Sequence, residues 1–371
     1  MVTLAEIFRQ HGPAYREQFG DRMSPSHHRA MIAIEQCRTE VLGGHVYRCP
    51  DCGEERYSYH SCKNRHCPRC QHDATQAWLE KQQDMLLPAP YFLLTFTLPE
   101  GLRDLARRRQ KLIYRLLFRA SAAATQELAR DPRFVGGQIG MIGVLQTWTR
   151  DLAYHPHVHY LVPGGGLAPD GERWLPSRAN FLLPVKALSI LFRAKFRDAL
   201  RGTELFEQIP AEVWRQPWVV HCQPVGDGRT ALKYLAPYVF RVAISNRRIV
   251  KLEHGLVTFA YKDGHSGQKK IRTVSAEEFI RRFLQHVLPK GFCKVRYYGF
   301  FSAGQRQTLQ RVRQVLGVPI AAPEPQQAAD IARPARSPMR CPTCHQEMQC
   351  VSVLRPINPW REGGRNRSPP S

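Results

Sequence analysis

The sequence predicts an α+β protein, with a small metal-pinned module near the N-terminus followed by a larger domain of mixed strands and helices. Two observations carry this. Between residues 91 and about 316, short runs of alternating apolar residues are interspersed with longer stretches of helical apolar spacing. Ahead of them, Cys49-x2-Cys52 and Cys67-x2-Cys70 sit among Gly, Pro and Asp, where ligands and not a packed core would order the chain.

The elements follow in order. Residues 1–72 open with a short helical stretch at Leu4–Arg9, continue with a second helix around His28–Gln36, and end in a cysteine-rich, loop-dominated stretch. Residues 73–90 read as a helical connector that stops before Pro88. The main domain, 91–316, holds a strand at 92–98, a helix at 102–130, a hairpin at 139–162 and a helix near 185–200. A segment at 229–242, strands near 247–262 and 269–274, and a helix at 275–287 complete it, the last started by Ser275 with Glu278 as its capping-box partner. Residues 317–338 are rich in Ala and Pro and read as a linker. Residues 339–371 form a cysteine-containing tail whose final part, from Arg355, has too few large apolar residues to fold alone.

Charge narrows the partners. Lys and Arg number 54 against 31 Asp and Glu, a formal charge of +23, and such a surplus speaks for polyanionic partners. No apolar run reaches the ~18 residues a membrane helix needs, and the N-terminus lacks a signal-peptide core. A cytoplasmic, nucleoid-associated protein with no membrane partner is therefore expected. In that reducing compartment the eleven cysteines read as thiolates for metal and not as disulfides.

The spacing Cys49-x2-Cys52-x14-Cys67-x2-Cys70 suits a closed, tetrahedral, structural Zn²⁺ site. Cys37, His45, Cys62 and His66 are additional ligand candidates, enough for a second ion or for crowding around the first. Arg56, Lys63, Arg65 and Arg69 interleave with these ligands, and cations on a metal-pinned loop suit phosphates. At the other end Cys341, Cys344 and Cys350, with His345, present one knuckle without a clear mate, readable as a degenerate zinc knuckle or as free thiols.

Residues 155–162 read HPHVHYLV, two histidines flanking one apolar residue on a strand. Side chains alternate along a strand, so His157 and His159 share a face with Cα atoms about 7 Å apart, close enough to grip one divalent cation. Tyr234 and Tyr238 are four residues apart, the helical spacing that stacks two phenols on one side. Pro237 stands between them, and proline costs about 3 kcal/mol inside a helix. Either the helix begins near Pro237, or the phenols do not share one regular face.

The His-hydrophobe-His strand, the later tyrosine pair and the apolar-Thr-apolar strand at Phe92–Leu98 resemble the HUH endonucleases, which cut single-stranded DNA with tyrosine nucleophiles. The cysteine module, the stretch from Lys233 to Arg248 and Val295–Phe300 are similar to one branch, the two-tyrosine rolling-circle transposases of the insertion sequence ninety-one family. The resemblance runs from about residue 25 to 350. It implies an HUH domain with a central antiparallel sheet, ferredoxin-like or RRM-like, preceded by the zinc module.

It also implies chemistry: Tyr234 and Tyr238 as nucleophiles and a catalytic Mg²⁺ or Mn²⁺ on His157 and His159; Lys233 favours Tyr234 as the first, with the order left open by Pro237. Gln146, Asp151 and His155 are open candidates for a third ligand, and Arg241, Arg247, Arg248, Arg296 and Arg306 for phosphate contacts. The partners implied are single-stranded DNA at the ends of the protein's own element, target DNA and host replication machinery. A replication initiator or relaxase would share the histidines and tyrosines without this zinc module. A non-cutting, zinc-dependent DNA-binding protein would keep DNA affinity without ever forming a covalent product.

Overall fold

The computed structural model describes residues 2–70, 72–240, 243–264, 266–318 and 338–357; the side chains of residues 72–74, 234, 236–238 and 240 lie outside the described residues. The chain first forms α1 (Leu4–Phe19), α2 (Pro25–Glu35), β1 (Gly44–Arg48), β2 (Glu55–Tyr59), α3 (His72–Gln83), β3 (Tyr91–Thr97), α4 (Arg103–Arg108) and α5 (Gln110–Arg130). Next come β4 (Gly140–Trp148), β5 (Tyr154–Pro163), β6 (Gly165–Leu167), β7 (Trp174–Pro176), α6 (Val185–Leu200), α7 (Ala211–Arg215), β8 (Val220–Pro224) and α8 (Gly228–Phe240). Then follow β9 (Ile249–Glu253), β10 (Leu256–Lys262), β11 (Lys269–Ser275), α9 (Ala276–Leu284), β12 (Val295–Gly299), α10 (Arg306–Val315) and β13 (Gln349–Leu354). Two compact units result: residues 71–320, and residues 2–70 together with the chain from 321 onward.

The larger unit is built on a five-stranded sheet in the order β12-β4-β5-β3-β8, with every neighbouring pair antiparallel. Helices α5 and α6 cover one face. Their apolar stripes, including Tyr114, Leu117, Phe118, Phe192 and Phe196, bury Phe96, Val158, Tyr160 and Val162 of the sheet. Each large side chain so buried contributes about 1.5–3 kcal/mol. Tyr160 keeps its phenol satisfied there by Ser121 Oγ at 2.8 Å. The ring needs room on β4: a Cβ at Gly143 would lie 2.6 Å from Tyr160 Cε1.

The opposite face receives α8. Leu93, Ile142 and Leu161 of the sheet form one buried cluster with Ala231, Leu232 and Leu235 of that helix. Alternation along β5 therefore sends Val158 and Tyr160 toward α5, and His157, His159 and Leu161 to the side that α8 covers. Every residue of β4 is buried because both faces are covered. Helix α8 is capped by Asp227, whose Oδ1 accepts the Thr230 amide at 2.9 Å, and it runs without a break through Pro237. Of the two alternatives left by the sequence, a helix starting near Pro237 is thereby removed.

A second sheet of this unit, β11-β10-β9, packs against α9 through Phe259 and Phe279. Ser275 does cap α9, accepting the Glu278 amide at 3.1 Å. The Glu278 carboxylate, expected to complete a capping box, instead pairs with Arg281 and Arg282, which hold it down at about 2. A reciprocal capping box is found at Thr3 and Glu6, the start of α1.

The smaller unit corrects two expectations. The stretch expected to be loop-dominated contains β1 and β2, paired from Gly44↔Tyr59 to Arg48↔Glu55. The expected C-terminal tail supplies β13, which pairs antiparallel with the other edge of β1, so the sheet order is β13-β1-β2. A five-residue strand such as β1, GHVYR, carries little periodic signal.

Candidate catalytic and metal-binding sites

On β5, His157 and His159 project their rings side by side, with centroids 4.7 Å apart. The ladder sets their neighbours: Thr97 and Gln146 stand opposite His157, and Thr95 stands opposite His159. Thr95 Oγ1 lies 3.0 Å from His159 Nδ1, and His157 Nδ1 donates to the His155 carbonyl at 2.6 Å. A proton fixed on Nδ1 of His157 leaves its lone pair on Nε2. Burial, with His159 beside it, pushes the His157 imidazole far below the usual histidine range, and burial sets His159 at about 4. Both rings are neutral at pH 7, the form in which imidazole binds a cation.

The three candidates for a third ligand separate. Asp151 is committed elsewhere: although burial opposes it, the Thr149 hydroxyl and the Arg272 guanidinium, 2.8 Å away, hold its carboxylate ionised. His155 takes Arg103 Nη2 at Nδ1, 3.1 Å away. Gln146 donates its amide to the Trp148 carbonyl at 2.9 Å, while its buried Oε1 has no hydrogen-bond partner among the described residues. A buried acceptor left unpaired costs about 1–3 kcal/mol and asks for an occupant.

Tyr234 and Tyr238 lie one turn apart on α8, the helix over the histidine face, and their side chains lie outside the described residues. Arg241 lies outside them as well. Of the other arginines, Arg248 is spent on bracing the fold, donating to the carbonyls of Ala260 at 2.9 Å, Ala243 at 3.3 Å and Arg150. Arg296 lies over the rings of Phe118 and Phe292 at 4.5 and 5.4 Å and lines an open groove of about 600 Å³ with Arg115 and Arg119. Arg247 and Arg306 are exposed.

The cysteines assemble differently from the expected set. Cys37, Cys62, Cys67 and Cys70 form one group, with Cys37 Sγ 3.3 Å from Cys70 and 3.6 Å from Cys67. Cys49 and Cys52 are not part of it. They meet Cys341 and Cys344 in a second group. The thiols of Cys62 and Cys67 hold the Cys37 sulfur well toward thiolate. His45 lies apart from both groups, its Nε2 3.3 Å from His60 Nε2 and its Nδ1 3.9 Å from Cys350 Sγ. His66 is buried, with its backbone amide donating to Asn64 Oδ1 at 2.9 Å, and joins neither four-sulfur group.

Cys-x2-Cys spacing recurs in the chain three times, and sequence distance alone chose the wrong mate for the 49–52 knuckle. Cys341-x2-Cys344 was visible as a knuckle lacking a partner, which was the available signal.

Two family models cover the histidine pair, the tyrosine helix and the N-terminal cysteines, and identify a transposase with a zinc-binding domain. Residues 140–308 match the family model described as a putative transposase, and residues 7–98 match the transposase zinc-binding domain. The chain belongs to the IS91 family of insertion-sequence transposases. It is 43% identical over 370 residues to a putative transposase, y4qJ, of Sinorhizobium fredii, covering 92% of this chain and 93% of the relative. It is 30% identical over 343 residues to the transposase for insertion sequence element IS801 of Pseudomonas savastanoi pv. phaseolicola, covering 86% and 82%. No solved structure matches. Among the described residues no helix is long and apolar enough to cross a membrane.

Proposed function

We propose that this transposase nicks and rejoins single-stranded DNA through covalent 5′-phosphotyrosine intermediates, with Tyr234 and Tyr238 as nucleophiles and an HUH metal site on His157, His159 and Gln146. The carrying observation is the juxtaposition on β5 and β4 of two buried imidazoles, 4.7 Å apart, with Gln146, whose Oε1 is unpaired among the described residues, on the sheet face that α8 covers. The strand order β4-β5-β3-β8 within a β-α-β-β-α-β succession supports the ferredoxin-like reading of the domain.

His157, His159 and Gln146 would hold a divalent cation, Mg²⁺ or Mn²⁺, which would supply Lewis-acid polarisation of a phosphate oxygen. The chain's own residues do the rest. Thr95 and the His155 carbonyl fix ring orientation at His159 and His157. A tyrosine phenol, ordinarily with a pKa near 10, gives up its proton and attacks phosphorus. The new bond joins phenolic oxygen to phosphorus, the bond to the 3′-oxygen breaks, and that oxygen leaves as a hydroxyl. Reversal with another 3′-hydroxyl reseals the strand with no external energy, and the second tyrosine accepts a second end before the first is released.

Single-stranded oligonucleotides from the flanks of the protein's own gene, incubated with the protein and Mg²⁺ or Mn²⁺, should yield a denaturation-resistant protein–DNA adduct. The adduct should vanish with EDTA, with His157→Ala and with the double change Tyr234→Phe/Tyr238→Phe. Tight binding without adduct on those ends would sink the nuclease reading in favour of a non-cutting DNA-binding protein.

A further inference from the structure

We infer that the chain carries a second structural zinc centre, built from its two ends by Cys49, Cys52, Cys341 and Cys344, and that this ion clasps the C-terminal hairpin to β1. The residues 341 and 344 lie far outside the stretch matched by the zinc-binding family model, 7–98. Cys49 and Cys344 are 295 positions apart, yet their sulfurs approach to 3.3 Å. Cys52 lies 3.5 Å from Cys341 and 3.6 Å from Cys344. Sulfurs about 2.3 Å from a tetrahedral Zn²⁺ stand roughly 3.8 Å from one another, close to these separations. Disulfide sulfurs would be about 2.05 Å apart, and all four cysteines are unbridged.

Each C-terminal sulfur is further dressed as zinc knuckles are. Backbone amides of Cys344 and Thr343 donate to Cys341, and that of Gln346 donates to Cys344. Such N–H bonds fix where the two sulfurs point. His345 adopts φ 62°, the left-handed conformation that turns the chain back after the knuckle, and its amide closes on the Cys341 carbonyl at 2.9 Å.

The energetics explain why an ion is needed. The buried apolar cluster here is Cys49, Cys341 and Met348, with Tyr47, Met339 and Cys344 packed against it. Val351 and Val353 of β13 remain exposed. One buried methionine offsets little of the conformational entropy lost in ordering some twenty residues, so the segment from Pro338 to Ile357 is not held by its core. Structural zinc supplies folding free energy to small domains that lack a core, enough to reverse that balance. Register on β1, from Gly44↔Leu354 to Arg48↔Gln349, is thus a consequence of metal loading.

The test is metal content and backbone protection of the full-length protein. Native mass spectrometry should find two Zn²⁺ per chain, falling to one in C341S/C344S. In that variant hydrogen exchange at residues 349–354 and 44–48 should lose protection, while β4 keeps it. C37S/C62S, changed in the other group, should also fall to one ion and retain protection at 349–354. One ion in the unaltered protein, two ions in C341S/C344S, or unchanged exchange at 349–354 in that variant would each overturn the clasp.

Discussion

Thr95 and His159 face each other across the β3–β5 ladder, with the threonine hydroxyl 3.0 Å from Nδ1 of the imidazole. Of the two threonines on β3, Thr95 meets the ring that β5 presents at hydrogen-bond distance, and Thr97 stands opposite His157. Thr95→Val keeps shape and removes the hydroxyl; losing such a support typically costs about 10–100-fold in metal affinity or activity. Titrating adduct yield with Mn²⁺ should show the midpoint moving up by that factor in Thr95→Val and little change in Thr95→Ser. An unmoved midpoint in the valine variant would make the hydrogen bond a packing detail.

Gln146 offers a test in which stability and activity part company. Gln146→Leu loses the amide bond to Trp148, worth about 1 kcal/mol, but also removes a buried acceptor whose unpaired state costs about 1–3 kcal/mol. Thermal stability of the metal-free protein should hold or rise slightly, while adduct formation falls at least about tenfold if the carbonyl ligates the ion. Full cleavage by a stable Gln146→Leu protein would exclude it as the third ligand.

Helix α8 sits where it does because Gly228 allows it. A Cβ there would lie 2.5 Å from Leu86 Cδ2 and 2.8 Å from Tyr91 Cε2, so Gly228→Ala forces the helix start away from β3. Overpacking of this kind costs about 1–3 kcal/mol. The melting temperature should drop, and adduct formation at a permissive temperature should drop with it, since α8 carries both tyrosines. A destabilised variant that cleaves normally would show that the helix position tolerates a shift.

Periodicity reads the longer helices and the strands β3, β4 and β5, because their patterns are local, whereas α7, α10 and β12 are too short to show a period and the helix expected over 102–130 divides into α4 and α5. The hairpin reading at 139–162, with Trp148 and Tyr160 among alternating apolar residues, corresponds to β4 and β5. Strand β8, with the sequence VHCQP, escaped notice: an edge strand with one half-exposed face and a terminal proline has no alternation to read. The cysteine partnership escaped for a different reason. Cys49 and Cys52 had an upstream-to-downstream choice between two knuckles of equal spacing, and only the pairing of β13 with β1, some 300 residues away in sequence, decides it. Thr95 was legible as part of a strand pattern, but its bond to His159 depends on strand register, which no local pattern fixes.

His286 makes the larger unit sensitive to acid. It is fully enclosed, with Nδ1 3.2 Å from the Thr147 hydroxyl, Nε2 3.4 Å from the Leu152 carbonyl, and its ring stacked on Tyr154. Burial depresses its folded pKa to about 3 from an ordinary 6.5. Between those values the unfolded chain binds a proton that the native state refuses, so stability is intact above pH 6.5 and declines as pH falls toward 3. The slope approaches about 1.4 kcal/mol per pH unit for this one proton. Facing groups matter to the sign: Lys294 also disfavours the imidazolium, and the Leu152 carbonyl opposes that effect without reversing it. His286→Gln keeps a hydrogen-bonding side chain that does not titrate. Urea unfolding from pH 7 to 4 should therefore show a shallower decline than in the unaltered protein, by about one proton's slope, whereas parallel curves would mean that His286 titrates in the native state as it does in the unfolded chain.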